Sequence, residues 1–439
     1  MLDANVGIST NIDSFQAGKE AAKEALGGLK IKPKIGILGV DALTKTKYNY
    51  SEVLRGVQDV IGPEVTVIGS TVNGMMVNDR FTLKSVGLML IGGDLNVDYS
   101  FHEEHSRLNY KKIASQILEN KSSLGESDER IMLMFQDGMK FPPIIMEQQA
   151  MLNTKLAALL SGLFTKVFSF LFKRYKKKGI GMPTVQELIT ELYNNNWDIP
   201  IIGNIATDPN LAPHAYEFFN DQSLEDAVVG MILSGEGDTK FGHGYGAGAE
   251  PMGIKCKASK NIGNFLLRID KKPALEGFCD ATKIQMGSLE ELENQGYVNY
   301  YHILGTQEQV GDHTITHLTG TMTNPELESL VVTSFPFDKV PDEIEIFRSN
   351  TNVLLKTTKT SIEQAMQGIQ DPKFLLGIDC IFRLSSYGDN LSKYVKTVKD
   401  TIGEDVPRLI LGSGGEIYGT KPDDYYFNSV TMLSIVGGN

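Results

Sequence analysis

One order of elements recurs three times along the chain, and it limits the fold more than any single motif does. A short apolar strand is followed by an amphipathic helix, a second strand ending in glycine, a loop and a third apolar strand. The first copy takes residues 35–40, a helix over 50–61, then 65–69 and 86–91. The second takes 131–135, a helix over 185–194, then 199–203 and 227–233. The third takes 376–384, a helix over 391–402, then 408–412 and 430–436. Strands alternating with helices in this way predict an α/β fold, built of repeated β-α-β-β units whose mixed sheets are flanked by helices. A boundary near Pro251 divides the chain into two expected domains, 1–250 with two copies and 251–439 with the third. The glycines Gly69, Gly203 and Gly412 let backbone turn sharply or approach a neighbour closely. Facing strand ends of that kind form a crevice, the usual ligand position in α/β architectures, although the same glycines also suit plain strand-ending turns.

Composition removes several function classes. With 42 Lys and Arg against 54 Asp and Glu, the net charge of −12 argues against a chain-wide surface for nucleic acid. Cys256, Cys279 and Cys380 are widely spaced and form no C-x-x-C, so neither a disulfide framework nor a zinc site is indicated, and a reducing cytoplasm is expected. The first residues lack a basic, then apolar leader pattern, and no apolar run reaches the roughly 18 residues of a membrane span. The chain has no G-x-x-x-x-G-K-[ST], G-x-S-x-G or H-E-x-x-H. Gly244-x-Gly246-x-x-Ala249 matches a dinucleotide pattern in letters only, because Pro251 follows and the next segment, 265–269, alternates like a strand. A binding protein is therefore expected rather than an enzyme.

The segments 17–22, 35–40, 67–71 with Gly74, and 86–91, followed by 200–206, Phe219-Asn220, 227–229 and the Gly244 to Gly253 turn, resemble the N-terminal part of the FIST family. Residues 269–275, Cys380-x-x-Arg383, Gly415-Glu416-Ile417 and Phe427-Asn428-x-x-Thr431 are similar to its C-terminal domain. The resemblance implies a cytoplasmic sensory protein of prokaryotic signal transduction that binds a small ligand, such as an amino acid, and signals to a separate partner. It also admits haem, since some relatives are nitric-oxide-sensing haemoproteins. Two departures stand out. Gly74-Met75 replaces the usual Gly-Glu and removes a carboxylate, and an apparent insertion lies near 148–184.

The residues that could hold a ligand follow from charge and position. Arg383 offers a guanidinium fork to a carboxylate and Glu416 accepts from an ammonium, so together they suit a zwitterion; a purely structural ion pair between the two is the equal alternative. Asn428, Gly415 and Cys380 adjoin them in the pattern, and Gly69, Ser70, Thr71, Gly203 and Asn204 are their counterparts in the first two copies. Cys380 reads as a buried thiol on a strand, sharing a face with Phe382 while Arg383 points away. His243, within a glycine-rich run that leaves room beside it, is the candidate axial ligand on the haem reading. No metal set is evident, because His313 and His317 lack a third ligand. Lys155 to Lys178 holds seven Lys or Arg and no acid, with Phe164, Phe168 and Phe172 on one helical face. Such a helix packs on its own domain, or docks on a partner or an anionic membrane surface.

Overall fold

A computed structural model describes residues 1–42, 48–125, 129–138, 185–207, 215–262, 265–285, 301–310, 313–324, 328–332, 340–420, 425–428 and 430–439. The basic helix expected over Lys155 to Lys178 lies outside the described residues.

Three units follow one another. The first contains β1 (Asp3–Ser9), α1 (Ser14–Gly28), β2 (Pro33–Asp41), α2 (Tyr50–Ile61), β3 (Thr66–Val72), β4 (Met75–Val77), β5 (Arg80–Thr82) and β6 (Val86–Gly92). The second contains β7 (Leu95–Glu104), α3 (Ser106–Lys121), β8 (Arg130–Gln136), α4 (Val185–Asn194), β9 (Ile201–Ile205), β10 (Glu217–Phe219), β11 (Gln222–Leu224) and β12 (Ala227–Gly235). The third opens with β13 (Lys240–Ala247) and is then interrupted. The interruption comprises β14 (Glu250–Ile262), β15 (Phe265–Ile269), β16 (Lys272–Pro273), α5 (Ala274–Thr282), β17 (His302–Val310), β18 (His313–Thr319), β19 (Thr321–Asn324), β20 (Ser329–Val332) and β21 (Glu343–Arg348). The unit resumes with α6 (Thr351–Ala365), β22 (Pro372–Cys380), α7 (Ile381–Tyr387), α8 (Leu391–Ile402), β23 (Arg408–Ser413), β24 (Glu416–Gly419), β25 (Tyr425–Asn428) and β26 (Thr431–Gly438).

Capping residues and packing explain the local choices. Asp13 and Asn49 accept the amides of Gln16 and Glu52 and so start α1 and α2, and Gly62, at φ 82°, stops α2. Small residues let these two helices touch backbone to backbone. A Cβ on Gly18 would lie 2.1 Å from the Val53 carbonyl, and one on Gly56 would lie 2.1 Å from that of Phe15.

The strands form three six-stranded sheets of matching order: β1-β6-β2-β3-β10-β11, β7-β12-β8-β9-β24-β25 and β13-β26-β22-β23-β4-β5. In each, the central pair (β2 with β3, β8 with β9, β22 with β23) is parallel and the other neighbours are antiparallel. The last hairpin of every sheet comes from another unit. The first sheet receives β10 and β11, the second β24 and β25, and the third β4 and β5, so the exchange closes into a ring. One apolar cluster draws on the inner faces of all three sheets, including Ile37, Ile68, Leu133, Ile202, Leu376 and Leu411. Each outer face is buried beneath helices: α1 and α2 on the first sheet, α3 and α4 on the second, α6 and α8 on the third. The interruption folds as an eight-stranded sheet around its own core of Leu266, Phe278, Leu304 and Ile346.

The mixed α/β architecture agrees with the sequence, while several boundaries differ. Residues 376–384 are not one strand. β22 ends at Cys380 and α7 begins at Ile381, which puts Arg383 one helical turn from Asp379. Neither Gly69 nor Gly203 ends its strand, since β3 continues to Val72 and β9 to Ile205. The division expected after residue 250 falls at the first residue of β14, and strands from both sides of it pair: β13 with β26, β24 with β9 and β4 with β23.

Candidate functional site

The ends of β3, β9 and β23 meet at the centre of the ring. Three backbone hydrogen bonds join them head to tail: the Thr207 amide to the Thr71 carbonyl at 3.2 Å, the Asn73 amide to that of Gly412 at 3.1 Å, and the Gly414 amide to that of Ile205 at 3.0 Å. Every donor lies two residues beyond an acceptor, so each unit gives one bond and receives one. The strand ends expected to flank a crevice are thus tied to each other through their backbones. Strand pairing there would otherwise stop and leave polar groups unmet.

Behind this ring lies a layer of side chains whose equivalence is set by register. Ser70 faces Glu217, Asn204 faces Glu416 and Leu411 faces Met75, each partner being the first residue of the exchanged hairpin strand. Asn204 Nδ2 donates to Ser70 Oγ at 2.7 Å across two units. Glu416 Oε2 accepts from the Thr431 amide at 3.2 Å and from Thr431 Oγ1 at 2.8 Å, and Glu217 Oε2 accepts from the Ala227 amide at 3.3 Å. Ser70, Asn204, Glu217 and Glu416 are all fully buried. Asn204 Oδ1 and Glu416 Oε1 are buried without a hydrogen-bond partner. Burial holds the Glu416 carboxyl well above the usual carboxylate range, against the pull of its Thr431 bonds. The Met75 departure therefore makes the layer asymmetric. Two of its three positions are polar, and the third is Met75 against Leu411.

Gly69 and Gly203 admit the neighbouring strand, because a Cβ would lie 1.9 Å from the Leu38 carbonyl in the first and 2.1 Å from that of Met134 in the second. The third glycine is displaced. Ile410 occupies the matching place, and Gly412 matches Thr71 and Ile205 in the backbone ring.

Among the described residues Arg383 forms no hydrogen bond or ion pair with Glu416, although its charge acts on that carboxyl. The Arg383 Nε donates to Asp379 Oδ1 at 2.6 Å, and its terminal nitrogens donate to Thr357 and Thr358 hydroxyls and the Leu354 carbonyl. Its fork is spent on β22 and α6 and is fully buried, so the guanidinium bridges a strand and a helix. Burial raises the Asp379 carboxyl, opposed by the Arg383 charge and the Tyr394 hydroxyl. Cys380 is fully buried beside Glu416, and desolvation with that charge pushes its thiol up. Gly415 takes part in the central turn, donating to Ser413 Oγ at 3.1 Å and accepting the Ile205 amide at 2.9 Å. Asn428 pairs with Glu416 in the β24–β25 ladder.

The glycine-rich run has a different use from the one its letters suggest. Gly242, Gly244 and Gly246 face α6, where a Cβ would lie 2.0, 1.9 and 2.2 Å from the carbonyls of Ala365, Ser361 and Thr357. The room expected for a flat cofactor is filled by helix backbone. His243 points to the other face, with Nδ1 3.1 Å from the Tyr418 hydroxyl. Among the described residues no group of three His, Cys, Asp or Glu could hold a metal ion.

Sequence reasoning missed Glu217 and the pair Asp41 and Asp137, which occupy the place of Cys380 in their units. Asp41 Oδ2 accepts the Gly74 and Lys84 amides at 3.1 and 2.9 Å, and Asp137 pairs with buried Arg107. Aligning Pro33 with Pro372 would have set Asp41 opposite Cys380.

A family model described as the FIST N domain matches residues 38–272, more than half of the chain. The chain belongs to the FIST family. FIST domains are sensory ligand-binding domains of signal transduction, and the match covers Ser70, Asn204 and Glu217 of the central layer. The chain is also similar to an uncharacterized protein of Methanocaldococcus jannaschii, 25% identical over 192 residues, which cover 42% of this chain and 34% of that protein. The chain thus spans about a third of that relative's length. Among solved structures, cyanuric acid hydrolase from A. caulinodans is 8% identical, covers 54% of this chain and 72% of its own, and has a TM-score of 0.26. PurLQS from Thermotoga maritima is 8% identical over 100% of this chain and 73% of its own, with a TM-score of 0.20. At these scores neither likeness bears on fold or chemistry.

Proposed function

We propose that this FIST protein senses a small polar molecule at the central layer and reports it to a separate signalling partner. The observation that carries the reading is the convergence of Ser70, Asn204 and Glu416 from three units, with Asn204 Oδ1 and Glu416 Oε1 buried and unpartnered. An unmet buried polar atom is unfavourable by about 1–3 kcal/mol, so a ligand bringing an N–H or O–H donor to Asn204 Oδ1 gains that amount on entry. An amino acid or a similar zwitterion has such donors in its ammonium group. The three units read as internal repeats, and ligand that contacts more than one of them biases how they sit together. Three buried free thiols support a reducing, cytoplasmic setting. No helix among the described residues is long and apolar enough to cross a membrane.

The test is a thermal-shift and calorimetric screen of amino acids and short polyols against the full chain and Asn204→Ala. A ligand at 100 times its Kd adds about 2.7 kcal/mol of stability. Binding that is lost in Asn204→Ala, with the variant still folded by circular dichroism, supports the site. Hits whose affinity is equal in both proteins overturn it.

A further inference from the structure

The three edge strands β1, β7 and β13 are handled in two ways, and the odd one opens a cleft. Ile8, His102 and Tyr245 hold one register place: they pair with Gly87, Val229 and Leu433, which follow the partners of Val40, Gln136 and Asp379. In the first and third sheets the preceding residue is glycine. Gly7 and Gly244 let α1 and α6 lie directly on the strand, where a Cβ would come within 2.1 Å of the Ala21 carbonyl and 1.9 Å of that of Ser361. A helix side chain then caps the open edge. Glu24 Oε2 accepts the Ile8 amide at 2.8 Å, and Gln364 Oε1 accepts the Tyr245 amide at 3.0 Å.

In the second sheet the preceding residue is Phe101, whose buried ring packs against Ile113 and Ile117 of α3 and props that helix off the strand. The space left is a cleft of about 220 Å³ along β7, lined by residues 99–103 and by Ile113, Gln116 and Ile117. Gln116 stands where Glu24 and Gln364 stand in the sister sheets, yet its Oε1 is buried with no partner. Among the described residues no side chain of α3 accepts the His102 amide, which the shared register turns to the open edge.

We infer that this cleft is a binding site, separate from the central layer, for a small ring bearing a primary carboxamide. The sister sheets show the group that an edge amide at this place takes: a carboxylate or carboxamide oxygen. A primary carboxamide meets both needs with one planar group, its carbonyl accepting from His102 N–H and its N–H donating to Gln116 Oε1. A carboxylate has nothing to donate to Gln116 Oε1 and would lie near Glu103, whose charge Lys112 offsets in part at 3.4 Å. Tyr99 and Phe101, stacked at 5.7 Å and 19°, with Ile113 and Ile117, provide the apolar walls for the ring. The volume is below the ~300–1,000 Å³ of drug-sized pockets, which limits the occupant to a single ring.

The probe is benzamide, titrated by NMR into the full chain, with benzoate and benzyl alcohol as comparators. Benzamide is expected to bind tighter than either and to slow hydrogen exchange at the His102 amide. Gln116→Leu should weaken it by about tenfold or more, the worth of one buried hydrogen bond. Ser115→Ala, on the exposed side of α3, and Asn204→Ala should leave binding unchanged. Benzoate binding as well as benzamide, or Gln116→Leu binding at wild-type strength while folded, overturns the assignment. So does the absence of any shift around Tyr99–Glu103 at saturating benzamide. Because the central layer is tested by Asn204→Ala with other ligands, either site can fail without the other.

Discussion

Gly244→Ala is the sharpest perturbation of this architecture. The added methyl would sit 1.9 Å from the Ser361 carbonyl and 2.9 Å from both the Ala365 amide nitrogen and the Gln364 Cβ. Contacts of a real Cβ do not fall under 3.0 Å, so α6 must withdraw by about 1 Å along this line. The obstacle is helix backbone, which cannot rotate aside as a side chain can. Withdrawal loosens Leu354, Ile362 and Ala365, all fully buried, and stretches the 3.0 Å bond from Tyr245 to Gln364. Overpacking of this kind is unfavourable by ~1–3 kcal/mol, and the lost hydrogen bond adds to it, so about 3 kcal/mol is expected. Gly27→Ala is the matched control. Its Cβ meets nothing within 4 Å in a helix, where Ala is favoured over Gly by about 0.5–1 kcal/mol. Urea unfolding of both variants beside wild type, compared at a common slope, measures the difference. Gly244→Ala within about 0.5 kcal/mol of wild type, the usual scatter of surface changes, would refute the close strand–helix packing.

The buried Asp379–Arg383 pair predicts a non-additive pattern. Asp379→Leu leaves an uncompensated guanidinium and should destabilise by about 3–5 kcal/mol, whereas Asp379→Leu with Arg383→Met should be much milder; equal losses in a double-mutant cycle would sink the pairing argument. Glu416 predicts a pH signature. Its folded-state pKa is raised by burial, so the stability it contributes is present below the unfolded pKa of ~4.3 and is lost as pH rises through the folded value. Wild type should therefore weaken relative to Glu416→Gln as pH rises above about 4.5, and parallel stability profiles would count against a buried, desolvated carboxyl.

Much of the element list was legible because it rests on local periodicity. The helices over 50–61, 185–194 and 391–402 follow from a 3.6-residue pattern, and β6, β8 and β12 from continuous apolar runs buried on both faces. Of the site, Ser70, Asn204 and Glu416 could be singled out by their place next to glycines, but not their contact, since 134 positions separate Ser70 from Asn204. The partner of Arg383 was not legible for a specific reason. In an unbroken strand Arg383 would share a face with Asp379 but lie roughly 13 Å further along it, whereas a helix that starts at Ile381 brings the side chains four apart together. The glycines at 242, 244 and 246 carry the same letters whether they border a ligand or a helix, and only the position of α6 decides between the two.

The amino-acid sequence by itself determined which segments become strands and helices, because the period of the apolar positions and the capping residues act within a few residues. The tertiary structure alone decided which strands pair. A hairpin such as β4–β5 satisfies its backbone equally well on any open edge, and it joins β23, over 300 residues away, only where the closing of the ring leaves that edge free. The central layer, assembled from three distant strand ends, exists only once that ring has closed.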